Sequence, residues 1–521
     1  MSDLALITAA TRTLAGLAVE AARTLTRNGE TIDDHQVVVE RVAYAATEAR
    51  VIAELATVPA ELASAAAVAA GDLAQSLRNR LESVTPELGL AEPRYDEATR
   101  QAILRTTSAE AVAALGALSI TNVGRFAWPL DEMLDEVRSN VRAFAEREIL
   151  PHAERIHHHD ELVPERFITE MAKLGYFGLS IPETYGGYEL GNLAMILTTE
   201  ELSRASLAAA GSLITRPEIL AKALIAGGTA EQKQTWLPKL ASGEIMAAIS
   251  VTEPNTGSDV ASITCRAEKV EGGWEITGAK AWCTFAGRAD VIALLARTSD
   301  GAKGLTLFVV EKPRFEGHSF EAKQPTGGTL SGKADRTPGY RGMHSFGLAF
   351  DRWFVPEANL VGGEAGLGRG FALQMAGFAA GRLQTGGRAC GLTAAALEQT
   401  SRYVAERKQF GRPIGEYGLT RYHLGRMAAR LIAARAITYT AAREMDADER
   451  AASAIAAMAK LFSCDVAVEV TQLGQLLHGG WGYAEEYPIS RYVTDAQVLP
   501  IFEGVKPILA LKVVGRSLLA R

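Results

Sequence analysis

A chain of 521 residues, 48% of them hydrophobic, has apolar side chains enough for large cores, and at roughly 150 residues per domain it holds about three or four domains. Its net charge of −7 argues against the basic footprint of a nucleic-acid binder. Charges interrupt its apolar runs before they reach the ~18 residues of a membrane span, and its four cysteines (Cys265, Cys283, Cys390 and Cys464) form no CxxC pair, so a reduced, cytoplasmic protein without a metal site is expected.

The opening stretch, MSDLALITAATRTLAGLAVEAARTL, lacks a basic segment ahead of an apolar one and does not read as a signal peptide. Val38, Val42, Ala45, Ala49 and Ile52 recur at helical spacing, RNGETIDDH breaks the helix in two, and more helix follows VTPELGLAEPRYDE. Residues 1–125 are therefore expected to be a helical extension. Residues 126–245 form a second helical region. In it PLDEMLDEVRSNVRAFAEREILPHAERI is amphipathic, and GTAEQKQTWLPKLASGE opens with Thr229 as an N-cap. His157, His158 and His159 lie side by side in IHHHDEL. Adjacent histidines are poorly spaced for one metal compared with an i, i+4 pair, so a solvated loop is the favoured reading.

From residue 246 to 358 the pattern changes to β-rich runs, among them AAISVTEP, WEITGAKAWCTF, VIALLART and GLTLFVVEK, punctuated by Gly, Pro, Asn and Asp. This region reads as a small β domain carrying a long polar loop, KQPTGGTLSGKADRTPGYRG. In residues 359–521 no proline occurs between Pro413 and Pro488, and long periodic segments read as antiparallel helices of a bundle.

Several segments could carry chemistry. GGEAGLGRGF contains GxGxG but stands outside a βαβ unit, so an interdomain loop fits it better than a phosphate cradle. The turn in SVTEPNTGSDVAS can offer N–H groups and hydroxyls to a planar or anionic ligand. In KAWCTFAG, Trp282 and Thr284 are expected on one strand face, either as ordinary sheet packing or as an aromatic wall beside a hydrogen-bond donor for a flavin. ERKQFGRPIG joins cations, an amide and an aromatic at a helix end, a combination suited to an Arg reaching a pyrophosphate. LPIFEGVKPILAL places Glu503 between apolar runs. There it is either a residue at a helix start or an acid in a dry setting, where a carboxylate gains proton affinity and can act as a base.

Taken together and in this order, SVTEPNTGSD, WCT, ERKQFGRPI, LLHGGWGYAEEYPISR and IFEG resemble the acyl-CoA dehydrogenase family, over about three quarters of the chain. The resemblance implies an α+β multidomain fold: N-terminal helices, a central β-barrel and a C-terminal four-helix bundle, here behind an extra helical extension. It implies FAD as cofactor, electron-transfer flavoprotein as electron acceptor, and a homo-oligomer in which subunits share flavin contacts. By position, Val251, Thr252 and Ser258 would line the flavin or thioester. Trp282 would flank the ring and Thr284 would bond near its N5. Arg407 and Phe410 would reach the dinucleotide across a subunit interface, with Gly479 and Gly480 packed near it. Glu503 occupies the place of the catalytic base, removing the α-proton while the β-hydrogen leaves as hydride to the flavin. Ser258, Arg382 and Gly504 would stand by the substrate. Some relatives carry the base next to the arginine that matches Arg382. That place here is Gly381, which has no side chain to act. Val505, Lys506 and Pro507 replace the family's usual Thr-Ser, and Gly418 replaces a usual Gln, so those FAD contacts do not carry over.

Three features sharpen the resemblance toward members of the family that act on a short branched acyl-CoA: the helical extension, the segment EELSRASLAAAGSLITRPEIL, and the loop ending PGYRGM. The expectation is (2S)-methylsuccinyl-CoA, oxidised to mesaconyl-CoA as in the ethylmalonyl-CoA pathway, with isobutyryl-CoA or another short acyl-CoA as the alternative. From a different class, a non-catalytic flavin-binding scaffold is the competing reading. A substrate with a distal carboxylate needs a buried cation, for which Arg216 is the first candidate and Arg341 and His344 are others.

Overall fold

The computed structural model describes residues 2–301, 303–449 and 451–520. Helices α1 (Asp3–Leu25), α2 (Gln36–Leu55), α3 (Ala63–Glu82), α4 (Glu97–Thr106) and α5 (Ala109–Thr121) form the N-terminal segment. Side chains at Ser2, Asp96 and Ser108 accept the orphan N–H groups of Ala5, Thr99 and Ala111, which fixes where α1, α4 and α5 begin. Next come α6 (Glu132–Phe144), α7 (Leu150–His159), α8 (Glu165–Lys173), α9 (Gly191–Ala205), α10 (Thr215–Gly227) and α11 (Ala230–Ala241). Thr229 starts α11 with a full capping box to Gln232.

Strands β1 (Ala247–Ser250), β2 (Arg266–Val270), β3 (Gly273–Thr284), β4 (Val291–Arg297), β5 (Leu305–Glu311), β6 (Ser319–Lys323), β7 (Thr329–Ala334) and β8 (Ser345–Pro356) join in one sheet of order β1-β4-β2-β3-β8-β7-β6, with β5 also on β4. After it run α12 (Gly370–Glu406), a two-strand ribbon of β9 (Lys408–Gln409) and β10 (Arg412–Pro413), α13 (Gly418–Ala447), α14 (Ser453–His478) and α15 (Ile489–Ala496), then short helical turns to Leu519.

The chain divides into two compact units, residues 1–136 with 385–521, and residues 137–384. In the first, the N-terminal helices share a core with the chain's end: Ala18, Val39, Val42, Leu77 and Leu81 pack with Leu511 and Leu519. Glycines set how closely α5 and α13 cross. A Cβ on Gly116 would lie 1.7 Å from the Arg421 carbonyl oxygen, and one on Gly425 would lie 1.9 Å from that of Val112. The extension thus belongs to the same unit as the C-terminal helices rather than to one of its own. By length and composition α1 could cross a membrane, and so could residues 97–121 taken as one helix. The latter is broken at Thr107–Ser108, and both bury a stripe as core helices do.

In the second unit, β4 and β5 are buried along nearly their whole length, which explains their unbroken apolar runs. Leu220, Leu224, Trp236 and Leu237 of α10 and α11 cover one face against Val291, Ala293, Leu307 and Val309. Ile292, Leu294, Phe308 and Val310 point into the other core with Ile276, Phe346 and Leu348.

Two sequence expectations fail here. His157, His158 and His159 form the last turn of α7, which Asp160 closes at φ +54°. Imidazoles suit the negative end of a helix, so this is not a loop. The supposed long loop also contains β7, which pairs with β6 and β8, so that it is split into a short turn at 324–328 and an irregular segment at 335–344. Glycines at 327, 328 and 332 masked the strand's pattern.

Candidate active site

β1 delivers Val251 and Thr252 into a turn where Glu253 and Thr256 exchange backbone hydrogen bonds of 2.8 and 3.1 Å. Glu253 is buried and holds the turn from beneath. It accepts from the Thr264 N–H and hydroxyl at 2.7 and 2.8 Å, from the Cys265 N–H at 2.8 Å, and from Lys280 Nζ at 3.0 Å. Lys280, also buried, donates to the Val251 carbonyl at 2.9 Å, and the Ala281 N–H donates to that of Thr252 at 2.9 Å. Burial acts to raise the Glu253 carboxyl, but the Thr264 and Cys265 N–H groups and Lys280 outweigh it and hold it below the usual range. Burial lowers Lys280, against the pull of Cys265 and Glu253. Ser258, further along this loop, is exposed.

Two residues beyond Lys280 the ladder to β8 slips. Lys280 faces Leu348 while Cys283 faces Phe346, so one residue is extra. The bulge puts Trp282 at φ +58° and leaves its side chain 58% exposed. Thr284 is buried, with its hydroxyl 3.0 Å from that of Ser345. Trp282 and Thr284 therefore do not share one strand face as alternation suggested; the bulge resets the period between them. Cys283, between them, is wholly buried, and its thiol is pushed up to about 12 by burial, opposed in part by the charge of Arg216. Arg216 lies in the first turn of α10, buried at 4% exposure, not on the surface as a helix-start arginine would be. Arg382 and Gly381 are buried within α12. Arg341 and His344 face Asp160, at 3.4 and 3.0 Å. Asp160, His318 and His344 bring ligand atoms within 4.8 Å of one another, but Arg341 competes there for the same Asp160 oxygen.

The first unit holds the other expected residues. Phe410 and Gly411 link β9 to β10 with φ +51° and +85°, the signs of a type I′ hairpin turn. Tyr417 braces the turn, donating to the Gln409 carbonyl at 3.0 Å and lying under Arg412 at 4.1 Å. Phe410 is left 94% exposed, beside an exposed Arg407. Gly479 ends α14 at φ +61°, and a Cβ at Gly479 or Gly480 would meet nothing within 4 Å. Glu503 is half-buried at φ +53° in the turn after α15, followed by Gly504 at φ +101°. Lys460 of α14 donates to the Gly504 carbonyl at 2.7 Å, and Arg388 of α12 stacks over the Phe502 ring at 4.7 Å.

Lys280, Glu253, Lys460 and Arg388 are functional candidates that sequence reasoning passed over. Lys460 carried a signal: it is one cation within the apolar run AAMAKLF, where charge is seldom buried without a purpose.

Family models for the acyl-CoA dehydrogenase N-terminal, middle and C-terminal domains match residues 131–244, 248–352 and 368–519. The chain belongs to the acyl-CoA dehydrogenase family. It is 40% identical to the (2S)-methylsuccinyl-CoA dehydrogenase of Cereibacter sphaeroides, over 86% of this chain and 80% of that one. It is 34% identical to mitochondrial isovaleryl-CoA dehydrogenase of Solanum tuberosum, over 74% and 91%. Among solved structures, butyryl-CoA dehydrogenase from Megasphaera elsdenii superposes with a TM-score of 0.69 at 29% identity, covering 76% of this chain and 100% of that one.

The enzyme is an FAD-dependent oxidoreductase acting on acyl-CoA, and the residues present suit a flavin. In the second unit an exposed indole stands on a bulge two residues from a buried threonine hydroxyl paired with that of Ser345. In the first, a rigid turn carries an exposed phenyl ring next to an arginine, near-planar and charged features of the kind a dinucleotide requires.

Proposed function

We propose that this enzyme oxidises (2S)-methylsuccinyl-CoA to mesaconyl-CoA. The observation that carries the reading is the extent of the match. An alignment over 86% of 521 residues is longer than the stretch from residue 131 to the end, so the likeness to the methylsuccinyl-CoA enzyme enters the helical extension. The isovaleryl-CoA relative, at 74%, spans no more than that stretch would supply. Buried Arg216 supports the same substrate, because a carboxylate taken out of water needs a cation.

Bound FAD supplies the hydride acceptor. Glu503, on a left-handed backbone in the turn before the chain's last helical segment, takes the α-proton. Val251, Thr252, Ser258, Trp282 and Thr284 would hold the flavin and thioester, while Arg216 and Arg382 would bind and orient the acyl chain. Arg407, Phe410, Gly479 and Gly480 serve the flavin of a neighbouring copy in a homo-oligomer, a role suited to Phe410's exposure. Electron-transfer flavoprotein takes the electrons.

The test is anaerobic mixing of the yellow enzyme with a panel of acyl-CoAs while flavin absorbance is followed. (2S)-methylsuccinyl-CoA is expected to bleach the flavin fast, and isobutyryl- and butyryl-CoA slowly. The reverse order would overturn the substrate and leave the enzyme class standing. Arg216→Ala should lower kcat/KM for methylsuccinyl-CoA by about 10²-fold or more and barely affect butyryl-CoA. Glu503→Gln should lower kcat by about 10²–10⁴-fold.

A further inference from the structure

We propose that Lys460 and Arg388 are positioning residues for Glu503, two buried basic side chains that pin the residues on either side of the base. The proposal rests on Glu503 being that base. Three consecutive residues form the turn. Arg388 holds Phe502 by stacking on its ring at 4.7 Å, and Lys460 holds Gly504 by its carbonyl at 2.7 Å. Glu503 lies between them at φ +53°, a backbone region that disfavours any side chain and persists only where neighbours over-determine it.

Both side chains are fully buried, with 0% exposure. Lys460 sits among Ala456, Ala457, Ala459 and Leu461, where packing alone would choose an apolar residue. Arg388 is itself steadied by donating to the Thr385 hydroxyl at 2.6 Å. Between them the two side chains flank one short turn: the ring that Arg388 covers and the carbonyl that Lys460 holds are two residues apart in sequence. Holding the Phe502 ring before Glu503 and the Gly504 carbonyl after it restricts the turn that carries the carboxylate, and proton abstraction from carbon depends steeply on its direction.

Lys460→Met and Lys460→Arg separate this role from packing. FAD content, melting temperature, and kcat and KM across pH are measured for each, on whichever thioester bleaches wild type fastest. Lys460→Met is expected to keep FAD and fold, to lose about 10²-fold in kcat with little change in KM, and to displace the acid limb of the kcat–pH profile. Lys460→Arg should recover most of the loss. A Lys460→Met enzyme with kcat within about twofold of wild type and an unmoved pH profile would overturn the proposal. So would one that loses FAD and fold together while its remaining flavin turns over normally. Should Lys460→Met fail to fold, Phe502→Leu takes away the ring under Arg388 and is expected to show the same kcat signature; normal kcat there would overturn the proposal. Glu503→Gln is run alongside. If it turns over normally, the base assignment has failed. If it is inactive while the Lys460 and Phe502 variants are normal, only the positioning role has failed.

Discussion

Lys280 and Glu253 show how one residue pair can hold a ligand loop. Together they tie the carbonyl of Val251 and the amides of Thr264 and Cys265 to β3, and so close both ends of the loop that carries Ser258. Lys280→Met would leave a buried carboxylate short of a cation and is expected to cost about 3–5 kcal/mol of stability. The double variant Lys280→Met/Glu253→Gln should cost less than the two single changes summed, because they break the same network. Urea denaturation of the four proteins measures this; simple additivity would sink it. The pH dependence has a definite sign. Glu253 is held below its ordinary 4.5, so its stabilisation is complete above that pH and is lost as pH falls through its lowered folded value. Wild type should lose urea resistance below pH 4.5 more steeply than Glu253→Gln.

At the level of elements, what the sequence disclosed was whatever depends on near neighbours. The Thr229 cap, the breaks around RNGETIDDH and the long helices between Pro413 and Pro488 all rest on local chemistry, and the structure has them. The bulge at Trp282 was not legible, since a strand read at period two gives no sign that one residue is extra. Nor was the bond from Lys460 to Gly504, because its partners are 44 residues apart. The crossing of α5 and α13 falls between these cases: Gly116 and Gly425 are visible as glycines, but only the fold shows each against a carbonyl on the opposite helix. Gly116→Val and Gly425→Val should each destabilise the protein by about 1–3 kcal/mol through overpacking. Because both force apart the same helix pair, the double variant should cost less than the sum. Urea midpoints test this, and variants as stable as wild type would show that the helices can part freely.

The whole molecule raises the question of what the extension does. If residues 1–125 were an appendage, their removal would leave the catalytic helices whole. The contacts argue otherwise. Leu511 and Leu519 lie in the same core as α1, α2 and α3. Arg23 donates to the Leu518 carbonyl at 2.9 Å, Tyr44 to Asp465 at 3.2 Å, and Arg430 pairs with Asp72 at 2.8 Å. Asp465 also pairs with Lys506 at 2.6 Å, three residues after Glu503. Deleting the extension would uncover one side of α13 and strip the apolar cover from the chain's end, and exposed apolar area of that size drives association. A chain starting near residue 126 is therefore expected to aggregate or to be purified with little flavin. Size-exclusion chromatography and the ratio of flavin to protein absorbance decide the matter. A soluble, flavin-replete truncation with unchanged kcat would mean that the C-terminal helices hold the Glu503 turn unaided, and that the extension answers to some need other than the fold of this unit.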